Sequence, residues 1–185
     1  MIIILLSSTS AYSEIPRLAY KIKPLLIKEV RFWWSFDEPI TTFAAQIHAE
    51  SNWDQFATSP VGAQGLAQFM PKTADWISGL YPELKENAPY SVSWSVRGLV
   101  IYDKWCYVRI NSMEKWPMTL SAYNGGLTWL NRDRELTGQK QDNPDLWFGH
   151  VEKHSKRSVS AFAENRSYVK NILCKLLLVY RRAGF

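Results

Sequence analysis

Apolar residues recur at helical spacing along most of the 185-residue chain, and no alternating apolar–polar run is long enough to make a convincing strand. A first stripe runs through Leu18, Ile22, Leu25, Leu26, Val30 and Trp33. Pro24 falls inside it and predicts a break or kink, because a proline ring removes a donor and crowds the preceding turn. A second helix is expected to open at Pro39, since proline suits the first helical position. Its apolar face is Ile40, Phe43, Ala44 and Ile47, and Glu50, three residues on, continues that face. Residues 52–65, with Ser59-Pro60 and two glycines, carry the chemistry of a loop. Helical periodicity resumes over 66–80, and a proline-bearing linker then reaches Ser91. Ser91 or Ser93 is placed to cap a helix carrying Val96, Leu99, Val100 and Trp105. A further helix is predicted over 119–130 and polar loop over 133–144. A last helix is expected from about residue 165, with Val169, Ile172, Leu173, Leu176, Leu177 and Tyr180 on one side. These elements amount to a single, mainly α domain without internal repeats.

Composition refines this picture in a few places. Hydrophobic residues make up 46 % and charged ones 21 %, as in ordinary soluble chains, and the length suffices for a core without metals or staples. Aromatics reach 14 %, which fits either a tryptophan-heavy core or flat faces for stacking on sugar rings. The net charge of +5 is uneven: residues 151–185 hold eight Lys or Arg against two Glu, whereas residues 1–150 hold fourteen against fifteen. A basic end implies an anionic partner or simply a solvated helix face. Nucleic acid is excluded as that partner, because no interleaved aromatic and basic motif accompanies the charge. Cys106 and Cys174 are too few for a disulfide framework and form either free thiols or one bridge in an exported protein. With no CxxC, and no cysteine pair accompanying His48, His150 or His154, a zinc site is not expected. Residues 1–13, MIIILLSSTSAYS, pair an apolar run with small residues but lack a basic start and an apolar stretch of about seven. Residues 1–16 are therefore taken as an export-signal remnant or apolar arm, and 17–185 as the domain. No stretch approaches the roughly 20 apolar residues of a membrane span.

The candidate chemistry starts at Glu50. A carboxylate that continues an apolar helical face and then meets a loop sits at the core's edge, where desolvation raises its pKa. On spacing alone, a glutamate that bonds nearby backbone amides explains it equally well. The surrounding text is more specific. Residues 44–74 read AAQIHAESNWDQFATSPVGAQGLAQFMPKTA. This resembles the catalytic segment of the soluble lytic transglycosylases, where a helix ending Glu-Ser is followed by S-P-x-G-A-x-G-L-M-Q-x-M-P-x-T-A. Glu50-Ser51 supplies the first pair. Ser59-Pro60-Val61-Gly62-Ala63-Gln64-Gly65-Leu66 follows, then Gln68, Met70, Pro71, Thr73 and Ala74, with Ala67 where the family usually has Met. Residues 120–126, LSAYNGG, resemble the family's A-Y-N-x-G stretch. Residues 164–169, ENRSYV, resemble its E-T-x-x-Y-V stretch, with Asn165 in place of Thr. The stretches 94–105 and 147–164 are similar to phage-encoded members, and the whole resemblance covers roughly residues 38–180.

What the resemblance implies is a lysozyme-like single domain acting on peptidoglycan glycan strands at the cell envelope, as a monomer without metal or cofactor. Glu50 would be its one catalytic acid and base. Ser59 is placed by the resemblance to hold the Glu50 carboxyl. Gln68, Met70, Tyr123, Asn124, Glu164 and Tyr168 would line the substrate cleft. Gln68 offers amide hydrogen bonds, Met70 a soft apolar wall and Tyr123 a stacking face with a hydroxyl. Glu164 is equally explained as a carboxylate favoured near a helix N-terminus. Gly62 and Gly65, lacking Cβ atoms, would let backbone approach the saccharide or simply form the turn. Two other readings stay open. One is a hydrolytic muramidase on the same fold, for which Asp54, four residues after Glu50, is the candidate water-activating group. The other is a non-catalytic glycan-binding phage component. In the terminal helix, Lys170, Lys175, Arg181 and Arg182 lie opposite the apolar side, a surface for peripheral contact with anionic peptide stems or acidic lipid of the envelope.

Overall fold

In the computed structural model residues 15–185 are described, so the 1–13 segment lies outside the described residues. Among the described residues eight α-helices carry the fold: α1 (Arg17–Trp33), α2 (Ile40–Ser51), α3 (Pro71–Leu80), α4 (Val92–Arg109), α5 (Lys115–Gly125), α6 (Leu127–Gln139), α7 (Val159–Asn171) and α8 (Leu177–Arg182). A π turn, Ile172–Leu176, joins α7 to α8. Single bridges at Thr58–Gln64 and Gln64–Phe69 are the only β pairing among the described residues. No helix among them is long and apolar enough to cross a membrane.

Helix α2 is the element around which the others arrange. Every residue from Thr41 to His48 is buried, and α1, the π turn and α8 pack against it. A helix covered on all sides must satisfy its polar side chains internally. Gln46 does so with Asp103 of α4, and His48 with Tyr180 of α8. On the other side, α5 packs against α4, α6 and α7.

Pro24 does not break α1. The helix runs through it because Pro24 and Tyr20, whose carbonyl loses its donor, both face solvent. The buried face of Ala19, Ile22, Leu26 and Val30 continues underneath. Arg97 of α4 clamps α1 with a two-pronged bond to the buried Glu29, at 3.1 and 2.9 Å. The expected helix over 66–80 starts only at Pro71, since residues 66–70 complete the preceding loop. The expected helix over 119–130 is two helices, because Gly126 takes φ 89° and turns the chain between α5 and α6. The expected loop over 133–144 is helical as far as Gln139. There Asp133 is buried under Arg157 and Arg166, so charge at this site marks an internal ion cluster rather than a loop. The last helical stretch opens at Val159, earlier than expected, with Ser158 accepting a bond from the Ala161 amide as its cap. Ser91 precedes α4, but its hydroxyl pairs with Ser93 and caps nothing. The cysteines are not bridged: Cys106 is buried and Cys174 exposed.

The loop between α2 and α3 is folded back on itself, and Gly65 is where it needs a glycine. Its φ is +72°, and a Cβ there would lie 1.9 Å from the Pro89 carbonyl oxygen. Gly62 has φ +88° but open space around it. Gly65→Ala should therefore add a backbone clash to the roughly 1–3 kcal/mol of left-handed strain, whereas Gly62→Ala carries the strain alone. Thermal unfolding should show the larger loss for Gly65→Ala. Equal losses would mean that the Pro89 contact relaxes freely.

Candidate active site

Glu50 is the penultimate residue of α2, and three contacts hold that helix end in place. Asn52 and Trp53 follow in the left-handed region, at φ 52° and 64°, which stops the helix abruptly. For a bulky residue such as Trp53 this conformation is costly, and burial holds it: the ring is 1 % exposed. Its indole N–H donates to the Tyr180 hydroxyl at 2.5 Å, and that hydroxyl meets His48 Nδ1 at 2.8 Å. Ser51 then donates from its hydroxyl to the Leu66 carbonyl at 2.8 Å, tying the helix end to the loop.

The loop is pinned in turn. Ser95 accepts from the Ala67 amide at 3.1 Å, and Tyr123 donates to the Ala67 carbonyl at 2.7 Å. Gln68 sits at φ 48°, with its side-chain amide donating to the carbonyls of Ala57 and Gly65. Gln68 and Tyr123, expected to reach substrate, thus spend these groups on building the cleft wall.

An open cleft of about 1040 Å³ runs past Glu50, and Ser59, Gln68, Met70, Tyr123, Asn124, Glu164 and Tyr168 all line it. The residues expected from three separate segments are therefore brought together. Several details differ from expectation. The Ser59 hydroxyl accepts from the Ala63 amide at 3.0 Å and makes no bond to the acid. That role falls to Tyr168, which donates to Glu50 Oε1 at 2.5 Å. Gly62 and Gly65 do not line the cleft, but Gly125 and Gly126 do. A Cβ on Gly125 would meet Arg157 at 2.0 Å. Asp54 turns away, accepting from the Phe56 amide on an exposed loop, and is absent from the cleft lining. None of the tryptophans lines the cleft; Trp53, Trp94 and Trp147 are core residues. Asn165, in place of the family's Thr, is buried and bonds Ser121 and Asn124, fastening α7 to α5 beneath Glu164. His150 and His154 both bond Asp142, away from the cleft.

Burial sets the state of the acid. Desolvation pushes the Glu50 carboxyl from an ordinary 4.5 up to about 8; the Tyr168 hydrogen bond pulls it down and the Glu164 charge pushes it up further. The carboxyl is thus protonated at neutral pH and already has a donor to receive it once ionised.

A second buried acid was missed from the sequence. Asp103 is fully buried in α4 and accepts from Gln46 at 3.2 Å, with burial, and the Glu50 charge to a lesser degree, pushing its carboxyl well above the usual range. Asp103 Oδ2 and Gln46 Oε1 have no hydrogen-bond partner. A protonated carboxyl supplies the O–H that Gln46 Oε1 lacks, so the neutral acid suits the pair and the anion does not. An acid embedded in the apolar run of α4 was the available sequence signal.

Fold and site together define a helical domain with one protonated carboxylic acid at the wall of an open cleft. The chain belongs to the transglycosylase SLT domain family, whose sequence model matches residues 34–146. It is 35 % identical over 104 residues to membrane-bound lytic murein transglycosylase F of Cronobacter sakazakii, covering 56 % of this chain and 20 % of that protein. It is 31 % identical over 129 residues to the Haemophilus influenzae protein of the same name, covering 68 % and 24 %. The chain thus spans about a quarter or less of the length of these relatives. Among solved structures, the 70 kDa soluble lytic transglycosylase of Escherichia coli superposes with a TM-score of 0.58 at 24 % identity, over 85 % of this chain and 24 % of that one. That likeness establishes the mainly α, lysozyme-like single-domain fold.

Two outcomes follow from the buried acids. Because the folded-state value for Glu50 lies above the unfolded one, its contribution to stability is present below about pH 4.5 and is lost as pH rises to about 8. Glu50→Gln should therefore gain stability over wild type progressively across that window, read from urea midpoints. A pH-independent difference would mean that Glu50 ionises as a surface glutamate. Asp103→Asn should keep the fold, since an amide can accept from Gln46 Nε2 and donate to its unpaired Oε1. Asp103→Leu should destabilise by about 1–3 kcal/mol by stranding the Gln46 amide.

Proposed function

We propose that the chain is a peptidoglycan lytic transglycosylase that cleaves the MurNAc-β-1,4-GlcNAc bond and leaves 1,6-anhydroMurNAc ends. Residues 17–185 form the catalytic unit, working as a monomer at the cell envelope. The observation that carries this reading is the desolvated Glu50 carboxyl, protonated at neutral pH yet open to the cleft.

In the first step Glu50 gives its proton to the glycosidic oxygen as the C1–O bond breaks, with the muramic acetamido group assisting departure. The carboxylate so formed keeps the Tyr168 hydrogen bond. In the second step the muramic O6 hydroxyl attacks its own C1 and returns its proton to Glu50, restoring the starting acid. Intramolecular attack has the advantage of a pre-positioned nucleophile, and neither water nor metal enters the balance. Asn124, Glu164 and Met70 bind the sugars from the cleft wall, while Ser59, Gln68 and Tyr123 hold that wall in shape.

One observation favours the hydrolytic alternative. Glu164 lines the same cleft and acts electrostatically on Glu50, so Glu164, rather than Asp54, is the carboxylate to test as a water-activating base. Mass analysis of sugars released from purified sacculi decides between them. Wild type should release anhydro ends. Glu50→Gln should lose about 10²–10⁴-fold in rate while remaining folded. Glu164→Gln should raise KM and still give anhydro ends, and Asp54→Asn should behave as wild type. Reducing ends from wild type that vanish in Glu164→Gln would establish a muramidase, and no release at all a binding module.

A further inference from the structure

Lys170 and Lys175 face the same cleft as Glu50. Five residues of α-helix span about 1.4 turns, which would send two such side chains to different sides. Lys175 itself lies in the π turn Ile172–Leu176, where the Leu177 amide bonds back to the Ile172 carbonyl, five residues earlier. That wider turn rotates residue i+5 back towards residue i. It brings Lys175 into line with Lys170 while Val169, Ile172, Leu176 and Tyr180 stay in the core. Both lysines are exposed, and neither is in an ion pair among the described residues. Ser167 and Asn171 add polar groups to the same wall, whereas Arg181 and Arg182 lie further on, in α8, outside the cleft lining.

We propose that Lys170 and Lys175 form a carboxylate-binding subsite that selects glycan strands still carrying their peptide stems. The inference rests on the glycan-cleaving reading above. A muramic sugar seated near Glu50 must project its peptide out of the cleft, and the stem carboxylates need cationic partners if the peptide is to add to binding. Packing alone requires no charge at either lysine, because the buried positions of this stretch are the apolar ones. Two ammonium groups of free rotation suit a flexible peptide better than a rigid fork would. Glu164, six residues before Lys170 on α7, leaves the sugar side of the cleft acidic, so the two ends of one wall differ in sign.

The test uses the Glu50→Gln protein, which binds without cutting, and two glycans of equal length, one with stems and one stripped of them by an amidase and then capped as neutral amides at its lactyl carboxyls. Calorimetric titration should give tighter binding of the stem-bearing glycan, by roughly 2- to 30-fold as expected for two partly exposed charge pairs. Adding Lys170→Gln and Lys175→Gln should erase that preference and leave the stripped glycan's Kd unchanged. The preference should also shrink as the Debye length falls from about 10 Å at 0.1 M salt to about 3 Å at 1 M. An undiminished preference in the charge-neutralised protein overturns the subsite while leaving the glycan reading intact. Binding of neither glycan overturns both. Vesicles containing phosphatidylglycerol form the last arm. If the lysine changes abolish vesicle binding and spare glycan discrimination, the cations belong to a lipid surface and the proposal fails.

Discussion

A carboxylic acid at the end of a helix enclosed by protein cannot easily ionise, and this constraint shapes the rest of the molecule. Helix α2 is covered by α1, the π turn and α8, so water reaches Glu50 only from the cleft. The low-dielectric surroundings hold the proton on the acid. The same enclosure obliges the helix's other polar groups to find partners in neighbouring elements. Gln46 reaches α4 and His48 reaches α8, and these bonds fix the direction in which Glu50 points. Acidity and aim therefore have one origin in the burial of α2.

The site also concentrates backbone strain. Trp53 and Gln68 both take positive φ without being glycine, at a cost of order 1–3 kcal/mol each. Each is held by hydrogen bonds from its own side chain, Trp53 to Tyr180 and Gln68 to two carbonyls. The strain ends α2 beside the acid and turns the following loop under it. Residues expected to contact substrate also make bonds within the cleft wall. Tyr123 gives its hydroxyl to Ala67, and Ser59 stabilises its own turn. Tyr168, from the far end of the chain, contacts the acid directly.

The wall opposite the loop comes from α7 and the π turn, which lie beyond the 34–146 match to the family model. Glu164, Tyr168, Lys170 and Lys175 all belong to it. This wall carries both signs of charge, Glu164 and the two lysines, while the acid and its loop lie within the match.

The sequence by itself determined the helical class, the acid and the residues that surround it. Helical class follows from local periodicity, and the acid stood inside an ordered run of glycines, serine and proline whose turn chemistry is local. Burial of Glu50 was legible because the residue extends an apolar face. Element boundaries were less so. Pro24 passes through α1 because its solvent side tolerates the lost bond, and Asp133 sits in a helix because Arg157 and Arg166 neutralise it from elsewhere in the chain. Only tertiary structure decided which hydroxyl meets the acid, that Asp103 lies beneath the site with Gln46, and that Lys170 and Lys175 share a face. Each of those depends on contacts between residues far apart in sequence, or on a one-residue widening of a helix, and neither leaves a period in the sequence to read.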